Sequence, residues 1–382
     1  MSAQEQVLTN ARLVLDDEVI DGTLVIRDGR IAAIDHGASQ ATGAVDCEGD
    51  TLLPGLVELH TDNMEKYFQP RPKVEWPGRQ AALAHDAQMA ASGITTVFDA
   101  VSIGDVDEQS MRHQSLDKMC HALSQIVHDG LARVDHRLHL RCEVSHPNTR
   151  ARFDELSSSP LLGLVSLMDH APGQRQFASL EAYRVYYQGK YQLDDTAMEA
   201  FMAAQIDNSQ RYSAEHRRAI AASCRERGLA IASHDDATME HVAESHEYGT
   251  RVAEFPTTRE AAEASHRAGM AVMMGAPNVV RGGSHSGNIA AADLVELGVL
   301  DILSSDYYPA ALLDAVFRVA AMEHGYALPR AVATATRHPA EAVGLDDRGR
   351  LAPGLRADLL RVRLIDEHPV VQRVWSAGRQ VH

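Results

Sequence analysis

The feature that most constrains this chain is a repeat of pattern rather than of sequence. From Leu56 to Asp306, short apolar runs alternate eight times with helix-period segments. The runs are "LVELH" from Leu56, "TTVFDAV" from Thr95, "LHLRCEV" from Leu138, "LGLVSLMD" from Leu162, "LAIASH" from Leu229, "RVAEFP" from Arg251, "AVMMGAP" from Ala271 and "DILSSD" from Asp301. Segments such as "RQAALAHDAQMAASG" and "TREAAEASHRAG" lie between them. Eight β/α units predict an α/β fold, a closed parallel (β/α)8 TIM-like barrel. An open doubly wound sheet is the alternative, but no Gly-x-Gly-x-x-Gly follows an early strand. The two ends read differently. Alternating runs punctuated by Asp21-Gly22 and Asp28-Gly29, and a matching stretch from Gly349, predict β structure. We expect a small β-sandwich domain built from residues 1–53 plus 350–382, and a hydrolase-type barrel over 54–349.

A chain of 382 residues is long enough for such a barrel. Its formal charge of −17 argues against nucleic acid or an anionic membrane as partner, since both require a basic face. A phosphorylated small molecule needs only local positive charge. Cys47, Cys120, Cys142 and Cys224 form no Cys-x-x-Cys pair, so they are expected to be reduced, buried thiols. The first residues lack the basic-then-apolar pattern of a signal peptide, and no run is long enough to span a bilayer. The expectation is a cytoplasmic protein.

Barrel active sites collect at the C-terminal ends of the strands. Here strand one ends in His60 and Asp62, which share a face by the period of two. Strand three ends in Glu143, with Arg141 and His139 on its parity; strand four ends in Asp169-His170; strand five ends in His234-Asp235-Asp236; strand six carries Glu254; strand eight ends in Asp306. Read singly, each has a plain explanation: Asp235 and Asp306 as helix caps, Glu254 as a partner of Arg251 or Arg281. Read together on one rim, imidazoles and carboxylates are a donor set for a divalent transition metal, zinc first, with manganese or iron as alternatives and one or two ions. Such a site activates water near neutral pH.

Positive charge lies close by. Lys66 and Arg71 follow strand one, Arg175 and Lys190 follow strand four, and Arg281 follows strand seven. Guanidinium forks match phosphate oxygens, and ammonium groups supply point charges. "RGGSHSGN", Arg281 to Asn288, is a glycine- and serine-rich loop after strand seven, where barrels often place phosphate. Ser284 and His285 within it are further candidates for substrate contact.

These stretches carry a resemblance. "TNARLVL", "LVIRDGRIAAID" and "GDTLLPGLVELHTD" at one end, with "GRLAPGLRADLLRV" and "VWSAGRQV" at the other, resemble the two halves of the small β domain in the amidohydrolase superfamily. The usual strand-one His-x-His is here His60-Thr61-Asp62. That departure, together with "ELHTDNMEKYFQPRPKVEWP", "LMDHAPGQRQF", "ASHDDAT", "GAPNVVRGGSHSGN" and "LSSDYYPAALL", resembles the diphosphatase branch of the carbon–phosphorus lyase pathway. The resemblance implies a metal-dependent hydrolase of a phosphoric anhydride. It would cleave α-D-ribose 1-methylphosphonate 5-triphosphate to the 5-phosphate and pyrophosphate in phosphonate catabolism. By position it implies metal ligands at His60, Asp62, Glu143, His234 and Asp306, with His170 either a ligand or a group behind one. Asp306 would orient and deprotonate the attacking water, with His234 beside it. The superfamily's strand-six histidine has no counterpart in "RVAEFPTT". The partner implied is a small phosphorylated sugar, and the resemblance allows a homodimer. Two other readings stay open: a hydrolase or deaminase of a cyclic amide or amino-sugar on the same scaffold, and a non-catalytic barrel kept as an assembly partner.

Overall fold

The computed structural model describes residues 5–71, 73–104, 111–175, 180–284 and 287–382. Eight parallel strands follow one another round a barrel in strict sequence order. They are Leu56–Thr61, Ile94–Ile103, Asp135–Glu143, Leu162–Met168, Ala230–His234, Val252–Glu254, Ala271–Gly275 and Ile302–Ser304. Each falls on one of the eight expected runs. The ring closes through a parallel bridge between Thr61 and Asp306. Its interior is filled by Val57, Leu59, Phe98, Leu164, Ala232, Val252, Met273 and Ile302. The barrel is therefore a packed core, and function is confined to its rim.

The helices cover the outside through apolar faces, as Leu116, Met119, Leu123 and Ile126 do in Met111–His128. The longest is Asp195–Arg227, capped by the Asp194 side chain and ended by left-handed Gly228.

Both chain ends form β structure, as expected, and the anticipated sandwich takes the form of one continuous eight-stranded sheet. Thr51–Pro54 is its hinge. This strand pairs parallel with Glu5–Val14 and antiparallel with Leu359–Ile365, so the path never breaks. Leu8, Leu13, Leu24, Ile26, Leu52, Leu359 and Trp375 form the core against it. Gly55 joins sheet to barrel. A Cβ at this position would meet Thr95 Oγ1 at 2.1 Å, so only glycine fits there.

Between strands two and three and the helix Gly78–Ala91 lies a polar cluster that is fully buried. Asp99 accepts from His85 Nε2 at 2.6 Å and from His136 Nδ1 at 2.7 Å. His136 Nε2 faces Asp86 Oδ1 at 3.3 Å. Asp86 also accepts from the Arg133 guanidinium and from the backbone of Arg133 and Val134. With a carboxylate on each side, His136 is an imidazolium. Burial opposes its charge, but Asp99 and Asp86 outweigh burial and push its pKa up to about 9. In turn Asp99, despite burial, is held down to about 2 by the two imidazoles.

The sign of the pH dependence follows by linkage. The His136 contribution is complete below its ordinary value of 6.5 and is lost as pH rises through about 9. Thermal melts from pH 6.5 to 9 should show stability falling by up to about 3 kcal/mol. A His136→Gln variant should melt lower throughout and lose that slope.

Candidate metal centre

The rim is organised at the barrel seam. Asp62 N–H donates to Asp306 O at 2.9 Å, and Asp306 N–H donates to His60 O at 3.0 Å. Glu58, one layer below, brackets the same seam. Its carboxylate accepts from His60 N–H at 2.6 Å and from Ser305 N–H at 2.5 Å. Burial pushes Glu58 up to about 7.

The residues ending strands five, six and eight have positive φ: Asp235 at 57°, Phe255 at 52° and Asp306 at 56°. Each keeps its N–H on the neighbouring strand, Asp235 on Glu254 O, Phe255 on Met273 O and Asp306 on His60 O. The ladder thus continues while the chain turns over the rim. For a phenylalanine this is a strained conformation, and strain of this kind gathers at functional sites.

Two adjacent sets of donors result. In the first, ligand atoms of His60, Asp62 and Asp306 lie within 4.8 Å of one another. His60 Nδ1 is 3.0 Å from Glu254 Oε1, which turns Nε2 towards Asp62, 3.8 Å away. Burial and the charge of Asp62 raise the Asp306 carboxyl above its usual range, against His60 and Arg141, which lower it. Glu254 is held down to about 2, since its imidazole neighbours outweigh burial. In the second set, His170, His234 and Asp235 converge within the same limit. His170 Nδ1 contacts Glu143 Oε2 at 2.7 Å, leaving Nε2 towards Asp235 Oδ2 at 3.6 Å. Burial would lower His170, but Glu143 and Asp235 raise it to about 9. The sets meet where the His60 and His234 rings lie 6.0 Å apart, with the edge of Phe255 against both.

These residues fit a divalent cation. His170 Nε2 and both nitrogens of His234 are buried without a hydrogen-bond partner. His234 Nδ1 is 2.9 Å from Asp235 Oδ2, yet the two are not aligned as a hydrogen bond. Unsatisfied imidazole nitrogens beside carboxylates are costly in a protein alone and are what a coordinated ion would satisfy.

The expected ligands distribute unevenly. His60, Asp62 and Asp306 come together, as do His170 and His234. Glu143 stands behind His170. Its oxygens accept from the His170 ring, the His170 backbone and Ser145 Oγ. Asp235, for which the sequence also allowed a helix cap, stands with the donors, and Glu254 pairs with His60 and not with Arg251 or Arg281. His139 was noted only for its parity. It bonds Leu59 O and Ser166 Oγ, and burial pushes it down to about 3.

The basic residues divide as well. Lys66 Nζ reaches Tyr307 O at 2.5 Å, next to Asp306. Arg71 is exposed, and Arg281 is exposed at the end of the helix Ala276–Arg281 rather than in a loop. Lys190 lies on the helix Leu180–Tyr191, over the Tyr186, Tyr187 and Tyr191 rings. Arg175 is the correction. It is 2% exposed, its guanidinium held by Asp236 and Glu244, so it braces the wall and does not stand open to phosphate. Ser284 Oγ accepts from Asn288 N–H, and His285 lies outside the described residues. The cation that sequence reasoning passed over is Arg141, which donates to Asp62 at 2.8 and 3.0 Å. Its parity with Glu143 was the available signal. From the His60–Glu254 pair we expect Glu254→Gln to weaken metal affinity about 10- to 100-fold, measured by chelator competition, with little change in fold.

The profile of the amidohydrolase family matches residues 51–381. The α-D-ribose 1-methylphosphonate 5-triphosphate diphosphatase of Escherichia coli (strain K12) is 54% identical over 376 residues, which is 98% of this chain and 100% of that protein. Among solved structures, N-acetyl-D-glucosamine-6-phosphate deacetylase from Mycobacterium smegmatis is similar at a TM-score of 0.65 and 19% identity, over 99% of this chain and 100% of that one. The 5-methylcytosine deaminase of Klebsiella pneumoniae is similar at 0.63 and 18%, over 99% and 98%. The structures share the fold; the sequence match, over nearly the whole length, shows that this chain belongs to the amidohydrolase family.

Proposed function

We propose that this protein is the diphosphatase that converts α-D-ribose 1-methylphosphonate 5-triphosphate to the 5-phosphate and pyrophosphate in phosphonate breakdown. The observation that carries the reading is full-length identity of 54% with the Escherichia coli enzyme of that activity. The rim agrees with it chemically, as a set of metal donors with cations beside it.

His60, Asp62 and Asp306 would hold one divalent ion, and His170, His234 and Asp235 a second, with zinc best suited to the mixed imidazole and carboxylate donors. A divalent ion bound there supplies Lewis acidity and a water acidic enough to be deprotonated near neutral pH. Asp306 is the base. It belongs to the first donor set, where its carboxylate is within reach of a water held at the same rim. Glu254 fixes the His60 tautomer, and Glu143 does the same for His170. A triphosphate brings about four negative charges to a rim already rich in carboxylates. Lys66, Arg71 and Arg281, joined by Arg141, neutralise the phosphate oxygens and the departing pyrophosphate. Arg141, which donates to Asp62, would place its charge beside phosphates held at the same rim.

Phosphorus NMR of the metal-reconstituted protein with this triphosphate should show pyrophosphate and a 5-phosphate, and His60→Ala should abolish both. An intact triphosphate with metal demonstrably bound would overturn the assignment. Asp306→Asn should keep the fold and lower kcat by at least about 100-fold. Turnover near that of the parent would remove Asp306 as the base.

A further inference from the structure

Asn63 follows the candidate ligand Asp62 but is turned away from the barrel mouth. It is 3% exposed, lying over the helix Gly78–Ala91. Its amide Nδ2 is 2.7 Å from Gln88 Oε1 and 3.3 Å from His85 Nδ1. Tyr67 Oη donates to the same Gln88 oxygen at 2.6 Å. The two anchors bracket the short segment that carries Lys66. That segment has little order of its own, with a one-turn helix, Glu65–Phe68, and no side-chain cap.

Behind His85 lies the buried cluster of the barrel wall. One assignment satisfies every contact from rim to base. Asn63 donates to His85 Nδ1, His85 Nε2 donates to Asp99, His136 Nδ1 donates to the other Asp99 oxygen, and His136 Nε2 donates to Asp86. Arg133 closes the far end on Asp86. Although ligand atoms of His85, Asp99 and His136 lie close enough to hold a metal, each ring nitrogen already faces a hydrogen-bond partner at 2.6–3.3 Å. The cluster is filled by protons, and among the described residues its hydrogen-bonded link to the loop after strand one is Asn63, with the Tyr67 ring 6.0 Å from that of His85.

The surrounding layer is otherwise apolar, with Phe68, Ala81, Ala82, Leu138 and Leu140 among its members. Apolar contacts hold a loop near a wall but tolerate sliding. A continuous buried hydrogen-bond chain accepts one register, because a slip of the loop leaves the Asn63 amide and His85 Nδ1 buried and unsatisfied. We propose that Asn63, backed by His85, Asp99, His136 and Asp86, is a positioning residue. It fixes the loop after strand one in the register where Asp62 would reach the metal and Lys66 the triphosphate. The inference rests on the functional reading above for its substrate, but not for its structural test.

The test compares Asn63→Ala, His85→Leu and His85→Gln with the parent by amide hydrogen exchange over 62–71, by steady-state kinetics and by thermal melting. Asn63→Ala and His85→Leu should exchange at least about tenfold faster in that segment and raise KM about tenfold or more, with a smaller effect on kcat. Glutamine at 85 can accept from Asn63 and donate to Asp99, so it should restore both readouts. Lowered melting with unchanged exchange and KM in Asn63→Ala would overturn the proposal and leave the cluster as core alone. If His85→Leu does not fold, Asn63→Ala decides. If the parent does not cleave the triphosphate, the functional reading fails, and the exchange data still decide the positioning role.

Discussion

The structure depends on how strand eight meets strand one. Most neighbours in the barrel are consecutive strands in sequence, joined by a helical crossover. The seam joins residues 247 apart, as Glu58 to Ser305 shows. Its closure is reinforced from within by a buried carboxylate spanning two backbone N–H groups. Without that bracket, His60 N–H and Ser305 N–H would be buried without their acceptor, at a cost of about 1–3 kcal/mol each. The same seam sets the spacing of His60, Asp62 and Asp306. The bond that closes the fold and the geometry that gathers one donor set are one feature.

Electrostatics then explains why the rim looks as it does. Asp62, Glu143, Asp235, Glu254 and Asp306 are crowded into a protein already carrying a formal charge of −17. Four are matched locally: Glu143 and Glu254 with imidazoles, Asp62 with Arg141, Asp235 with His170 and His234. The Asp306 carboxyl, buried and crowded by Asp62, sits above its usual range. In the proposed reaction the positive charge for an anionic substrate would come from a bound divalent ion and from a few side chains at the mouth. The net charge of the whole surface plays no part in it.

The barrel was legible because its strands carry their own pattern, and so were the donors on strands one, four, five and eight. What was illegible has physical causes. Period-two logic places Asp235 opposite His234, but left-handed φ at Asp235 brings both to the same side. Glu254 looked like a partner for a nearby arginine because its true partner, His60, lies 194 residues away. Arg175 is a cation beside a ligand-bearing strand, and nothing local announces that Asp236 and Glu244 consume its charge. The His85–Asp99–His136 cluster hides in plain helix and strand patterns, since outward-facing residues of a barrel strand are not surface residues once a helix covers them.

The small sheet has a consequence for how the chain comes into being. Its central strand, Thr51–Pro54, takes one neighbour from the first residues and the other from Leu359–Ile365. During synthesis the N-terminal half exists long before its partner. Through the making of the entire barrel, Thr51–Pro54 presents an open edge that only the last strands can cover. The sheet therefore cannot be completed until the last strands have been made. Truncating the C-terminus would leave that edge open for pairing with other chains and would strip Leu360, Val362 and Val374 from the core they share with Leu56, Ile94 and Val97.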